Sequence, residues 1–135
     1  KWLLRLLARF APALGVIKLE ADGVSRDPEE VKRYCDDPLV YNGALTAGLL
    51  QAMFTAMERG KRRAPELHLP LLIMHGKQDP MTAVEGSQWL YNSISSREKS
   101  LLILPDAYHE ILNEPEQEQV YQTLFEFLDE HCPAD

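Results

Sequence analysis

Residues 70–79 read PLLIMHGKQD and residues 100–110 read SLLILPDAYHE, and these two stretches decide the fold. Each opens with a nearly continuous apolar run, which is typical of a strand buried in a parallel sheet. An acid, Asp79, follows the first run, and a histidine, His109, follows the second. Functional groups of open parallel sheets sit at the carboxyl ends of the strands. We therefore expect Asp79 and His109 to lie on neighbouring loops.

The segments around these stretches alternate between the two kinds of element. We predict strands at Leu67–His75 and Ser100–Leu104, a helix at Val84–Ser95 and an amphipathic helix at Pro115–His131. The order strand, helix, strand, helix indicates the C-terminal part of a doubly wound parallel α/β sheet. Two strands do not form a stable open sheet, so we expect further strands to complete it.

The first part of the chain has a different character. Apolar residues recur at helical spacing from Trp2 to Phe10, and Pro12 closes that segment. Asp27 is a candidate cap of a second helix, and a third is predicted at roughly Ala44–Arg59. We predict that the first 60 residues are all helical and that residues 1–63 form a helical cap or lid region. Residues 64–135 then form the C-terminal part of the sheet domain.

Composition and charge argue against some classes of function. The chain has 135 residues and a net charge of −7, and no apolar run approaches the roughly 20 residues that span a bilayer. The basic cluster at residues 59–63 is short and lacks aromatic neighbours, so we expect no nucleic-acid binding. Residues 1–18 carry four basic groups and no acid. This basic start leaves peripheral membrane contact open, although we favour the interpretation that it is one face of a packed helix.

Two cysteines, Cys35 and Cys132, lie far apart in the sequence. A disulfide between them is one interpretation. Two free thiols in a reducing compartment is the interpretation that we favour, and it predicts a cytoplasmic protein.

Asp79 and His109 are the candidate catalytic residues. A histidine can take a proton from a nucleophile, while a carboxylate on its other nitrogen holds the correct tautomer. The third member, a serine in a G-x-S-x-G turn, does not occur in the chain. In the order nucleophile, acid, histidine, that serine would precede Lys1. We therefore expect the chain to be the C-terminal half of an enzyme and to be inactive when expressed alone.

Other residues resemble parts of a catalytic site less well. Ser87 lacks the second glycine and the preceding strand of a nucleophile turn, so we interpret it as an early-helix serine. The pair His75-Gly76 precedes the acid directly and is predicted to be a tight turn. Rival acids are Glu85, Asp106 and Glu110, and the remaining histidines, His68 and His131, are predicted to be ordinary surface or half-buried residues. No histidine pair has the helical spacing of a metal site, so we expect no metal.

The motifs at residues 70–79 and 108–114 resemble the acid and histidine motifs of monoacylglycerol lipases and related lysophospholipase-like α/β-hydrolases, and Asp37–Tyr41 resembles a short motif of that family's cap. The resemblance covers nearly the whole chain. It implies that Asp79 is the triad acid and His109 the triad base. Pro80 departs from the charged or polar residue expected after the acid.

By this resemblance, the full protein hydrolyses a monoacylglycerol or lysolipid ester through an acyl-serine intermediate, without a metal or organic cofactor, and residues 1–63 cover an acyl-binding pocket. Two alternatives stay open. One is a serine peptidase or amidase of the same fold, and the other is a non-catalytic binding module with an α/β-hydrolase-like fold. The sequence does not determine the oligomeric state.

Overall fold

The computed structural model of the protein describes residues 2–132. Five helices and four strands make up the regular structure of that range. In chain order they are α1 (Trp2–Phe10), β1 (Gly15–Ile17), α2 (Pro28–Asp36), β2 (Leu45–Thr46), α3 (Ala47–Arg63), β3 (Leu71–Gly76), α4 (Val84–Ser93), β4 (Lys99–Leu104) and α5 (Gln117–His131).

Strands β3 and β4 pair in parallel, from Leu71 opposite Lys99 to Gly76 opposite Leu104. The first strand starts four residues later than its apolar run predicts. Pro70 has no N–H to donate to a neighbouring strand, whereas the N–H of Leu71 donates to Glu98 O at 2.9 Å. The predicted order of strand, helix, strand and helix is confirmed.

Helices cover both faces of this sheet. On one face Ile73 packs with Ala64 and with Ile94 at the end of α4. On the other face Leu104 packs with Val120 of α5. Alternate residues of a strand point to opposite faces, so an unbroken apolar run supplies both cores at once. Both faces of the sheet are therefore covered, and only its strand ends are left to carry a site.

The prediction that the first 60 residues are all helical is wrong. Strands β1 and β2 form a small antiparallel pair, in which Gly15 lies opposite Thr46 and Ile17 opposite Leu45. Strands of two and three residues are too short to show a period, and their partners are about 30 residues apart in the sequence. The pairing brings the start of α3 against the turn after α1, where Gly48 N donates to Pro12 O at 2.9 Å.

The prediction of a tight turn at His75-Gly76 is also wrong, because both residues are the last paired residues of β3. Gly76 is needed there for another reason. A Cβ on Gly76 would overlap the backbone carbonyls of Ala107 and Tyr108. The absence of a side chain lets the loop that carries His109 cross closely over the end of β3.

Both ends of the third helix differ from the predicted Ala44–Arg59, whereas the predicted cap of the second helix is confirmed. Helix α3 begins at Ala47, since Thr46 Oγ1 accepts from Leu49 N at 3.2 Å, and it continues through Gly60 to Arg63. Helix α2 is capped by Asp27 as predicted, with its carboxylate accepting from Glu29 N at 2.9 Å.

Several apolar side chains lie on the surface. Trp2 and Phe10 of α1 are each 75% exposed, and Phe125 of α5 is 58% exposed. Within residues 2–132, none of the helices combines the length and the apolar character that a bilayer crossing requires. Cys35 and Cys132 are both free and exposed.

Candidate active site

The loop after β3 is a turn built around the Asp79 carboxylate. Its Oδ1 accepts from Met81 N at 2.7 Å and from Thr82 N at 3.0 Å, and its Oδ2 accepts from Thr82 Oγ1 at 2.5 Å. An aspartate followed by Pro80 and then Thr82 is typical of such a side-chain-stabilised turn. The local sequence thus fixes the orientation of the carboxylate before any distant residue contributes.

The second loop brings His109 to this carboxylate. Nδ1 of His109 lies 2.8 Å from Oδ2 of Asp79. The two loops are also joined through their backbones, because Gln78 N donates to Ala107 O at 3.0 Å and Lys77 N to Leu104 O at 2.8 Å. The two residues singled out in the sequence therefore meet at the carboxyl edge of the sheet, three and five residues beyond their strands.

The two side chains differ in exposure. The Asp79 side chain is 3% exposed and the His109 side chain 39% exposed. Burial raises the pKa of Asp79, but the hydrogen bonds from His109, Thr82 and Met81 outweigh it and lower that pKa from 3.8 to about 2. Asp79 is thus a buried, ionised acceptor. Because it engages Nδ1 of His109, Nε2 is the nitrogen that remains for exchanging a proton with another group.

The lowered pKa predicts how stability depends on pH. The unfolded carboxyl takes up its proton near pH 3.8, whereas the folded one does so only near pH 2. The stabilisation is therefore fully present above about pH 4 and is lost as the pH falls through about 2. We expect the difference in unfolding free energy between the full-length protein and Asp79→Asn to shrink by about 2 kcal/mol across this window. Urea unfolding at a series of pH values measures it, and a constant difference would contradict the shift.

A second histidine touches the same carboxylate, which the sequence analysis did not anticipate. His75 Nε2 lies 3.3 Å from Asp79 Oδ2 and 3.2 Å from the carbonyl oxygen of Thr82. His75 Nδ1 lies 2.7 Å from Ser87 Oγ. A carbonyl oxygen only accepts, so the neutral ring carries its proton on Nε2 and accepts from the Ser87 hydroxyl at Nδ1. The only indication of this contact in the sequence is that His75 precedes Asp79 by four residues.

Within residues 2–132, none of the rival candidates is hydrogen-bonded to the His109 side chain. Ser87 is in the first turns of α4, as expected of an early-helix serine, and Glu85 is in the first turn of the same helix. Glu110 accepts from Asn113 Nδ2 at 2.8 Å, and Asp106 is exposed. Across residues 2–132, no three His, Cys, Asp or Glu side chains are grouped so that they could hold a metal ion.

Comparison with known proteins places the chain in a family. A family model described as serine aminopeptidase S33 matches residues 1–116. The chain belongs to this serine aminopeptidase S33 family. Its fold is that of the α/β-hydrolases, and it is similar to monoacylglycerol lipases. The fold class predicted from the two strand-and-loop motifs is thereby confirmed.

Three relatives illustrate the similarity. The chain is 39% identical to a monoacylglycerol lipase of Mycolicibacterium smegmatis, over 94% of this chain and 45% of that protein. It is 30% identical to the monoglyceride lipase of Mus musculus, over 78% of this chain and 35% of that protein. The crystal structure of the Paleococcus ferrophilus monoacylglycerol lipase superposes with a TM-score of 0.87 at 33% identity, covering 96% of this chain and 51% of that one. The chain thus spans about half the length, or less, of these relatives.

Proposed function

We propose that the full-length protein is a serine carboxylic-ester hydrolase of monoacylglycerols or lysolipids, in which Asp79 is the acid and His109 the base. The hydrogen bond of 2.8 Å between Asp79 Oδ2 and His109 Nδ1, at the carboxyl edge of a parallel sheet, carries the proposal. The nucleophilic serine and the oxyanion loop are assigned to parts of the protein outside these 135 residues. The pair argues against a non-catalytic binding module, which has no use for a buried acid held against a half-exposed histidine.

In this mechanism Asp79 keeps the Nδ1 proton of His109 in place and leaves a lone pair on Nε2. Nε2 takes the serine proton while the serine oxygen attacks the ester carbonyl. It then returns the proton to the departing alcohol oxygen, that of glycerol or of the glycerophospho-alcohol of a lysolipid, and the acyl-serine remains. The same nitrogen takes a proton from water, whose oxygen attacks the acyl carbonyl, and gives that proton to the departing serine oxygen as the fatty acid is released. Since Asp79 is 3% exposed and its pKa lies at about 2, it stays ionised throughout and stabilises the imidazolium.

Residues 1–63 are proposed to form the cap of the substrate pocket. A cleft separates the segment after β1 from the two catalytic loops, and Leu19, Met81 and Tyr108 are among the residues that line it. Apolar side chains at this place suit an acyl chain that must reach the Asp79–His109 pair. Met53 and Met57 of α3 are exposed and give the proposed cap an adaptable apolar surface.

Cytoplasmic location and peripheral membrane contact are further parts of the proposal. The free thiols of Cys35 and Cys132 suit a reducing compartment. Helix α1 exposes Trp2 and Phe10 beside basic Arg9, a combination that suits an anionic lipid surface. If Trp2→Ala and Phe10→Ala leave the sedimentation of the full-length protein with anionic vesicles unchanged, α1 is not the contact.

The name of the S33 family favours one competing substrate class, because it describes aminopeptidases. A panel of 1-monooleoylglycerol, lysophosphatidylcholine and amino-acid p-nitroanilides separates the two. We expect kcat/KM for the monoacylglycerol to exceed that for any p-nitroanilide by at least about 10²-fold. Preferred cleavage of a p-nitroanilide would establish the peptidase alternative, and no cleavage of any substrate would leave the binding module.

A further inference from the structure

Glu114, which the sequence analysis did not single out, is the most deeply buried acid of residues 2–132 and has a full set of partners. It is 1% exposed. Its Oε1 accepts from the backbone N–H of Tyr108 at 3.0 Å and of Arg26 at 3.1 Å, and its Oε2 accepts from Arg26 Nε at 2.8 Å. The same hydrogen bond raises the pKa of Arg26, which is therefore always charged.

Two further hydrogen bonds join the segment that contains Arg26 to the loop that carries His109. Glu110 N donates to Val24 O at 2.7 Å, and Ser25 Oγ donates to Asn113 O at 2.7 Å. Val24 and Ser25 are 1% and 2% exposed, so this contact excludes water. Residues 23–26 thus lie along the loop that carries His109, although 88 residues separate Arg26 from Glu114 in the sequence.

We propose that the pair of buried Glu114 and partly exposed Arg26, which we name the Arg26–Glu114 clamp, positions His109 for proton transfer. The inference rests on the proposed function and deepens it. Tyr108 and Glu110, the two neighbours of His109, are each held through their backbone N–H, the first by Glu114 and the second by Val24. The hydrogen bond to Asp79 orients the imidazole ring but does not fix the backbone that carries it. His109 N donates to Gly23 O at 3.4 Å and the clamp holds the neighbouring Tyr108, so the clamp and the residues next to Arg26 fix this backbone together.

The same contacts make the clamp sensitive to small changes. A buried carboxylate is tolerated only while its partners satisfy it, and removing one partner leaves the other buried and unpaired. In Glu114→Gln, an amide group must face the Arg26 Nε–H or the two backbone N–H groups, and each arrangement sets donor against donor. The loop must then move, and a displacement of 1 Å or so at a catalytic group can reduce turnover by about 10²-fold.

The chain offers a matched control. Glu116 also pairs with Arg26, through Nη2, but its side chain is 46% exposed and it contacts the outer end of the guanidinium. Glu116→Gln removes the same charge two residues away without touching the backbone of the His109 loop. Surface pairs of this kind contribute little to stability.

The experiment compares Glu114→Gln, Arg26→Lys and Glu116→Gln in the full-length protein. For 1-monooleoylglycerol we expect kcat to fall about 10- to 100-fold in Glu114→Gln and less in Arg26→Lys, with KM nearly unchanged. Proton NMR with labelled histidine should show the His109 Nδ1–H resonance, shifted downfield by Asp79, broadened or displaced in both variants. Glu116→Gln should change neither quantity.

A merely structural role would give a different result. If Glu114→Gln lowers the unfolding midpoint but keeps kcat and the His109 resonance, the clamp does not position the histidine. Arg26→Lys, which keeps the charge, decides the question if Glu114→Gln does not fold. The resonance also separates this inference from the proposed function. A parent protein that hydrolyses no ester would refute the function, while the effect of the variants on its Nδ1–H resonance would still decide the role of the clamp.

Discussion

His109→Ala in the full-length protein is expected to lower kcat for 1-monooleoylglycerol by about 10⁴- to 10⁶-fold, with little change in KM. The His109 ring is the group that takes the serine proton and returns it to the leaving oxygen, so both halves of the reaction lose their acid–base catalyst. Its side chain is 39% exposed and is held by one hydrogen bond to Asp79. Its removal therefore costs little packing, and the loss should appear in turnover and not in folding.

Steady-state kinetics with the monoacylglycerol, together with thermal unfolding, measure this expectation. His68→Ala is the matched control, because His68 is an exposed histidine that precedes β3 and lies away from both loops. A loss of less than about tenfold in His109→Ala would remove this residue from the acid–base role. A loss matched by His68→Ala would point to a general effect on the protein.

The positions of Asp79 and His109 could be predicted because every signal for them is local. Each follows an apolar run that is typical of a buried strand. Parallel strands bring their carboxyl ends to one edge of the sheet. The turn that orients Asp79 is local as well, since its partners Met81 and Thr82 lie within three residues. Physical rules that act over a few residues are visible in a single sequence.

The contacts that could not be predicted join distant parts of the chain. The pairing of Gly15 with Thr46 and that of Arg26 with Glu114 depend on tertiary packing, which no local pattern encodes. Glu114, followed by proline and more acids, has the surroundings of a surface residue in the sequence, yet it is 1% exposed. His75 was misinterpreted for a related reason. The glycine after it is typical of a turn, but here that glycine makes room for another loop.

The geometry of the turn determines how an asparagine amide would be oriented in place of the Asp79 carboxylate. Met81 N and Thr82 N both donate to Oδ1, so the carbonyl oxygen of an asparagine must take that position. The amide nitrogen then replaces Oδ2, the atom that lies 2.8 Å from His109 Nδ1. Because an amide N–H then faces Nδ1 of His109, Nδ1 must accept a hydrogen bond and cannot carry the proton. The histidine proton moves to Nε2, and the lone pair that should receive the serine proton is lost.

Asp79→Asn in the full-length protein is therefore expected to reduce kcat by about 10⁴-fold while KM stays nearly constant, because the tautomer is wrong but the pocket is intact. Asp106→Asn makes the same change at an exposed acid three residues before His109 and should leave kcat unaltered. Steady-state kinetics on 1-monooleoylglycerol at a pH where wild-type histidine is neutral distinguish the two. Because the turn fixes the direction of the amide, Asp79→Ala, which has no group to face Nδ1, should retain more activity than Asp79→Asn. Equal activity of Asp79→Asn and the parent protein would exclude Asp79 from the mechanism.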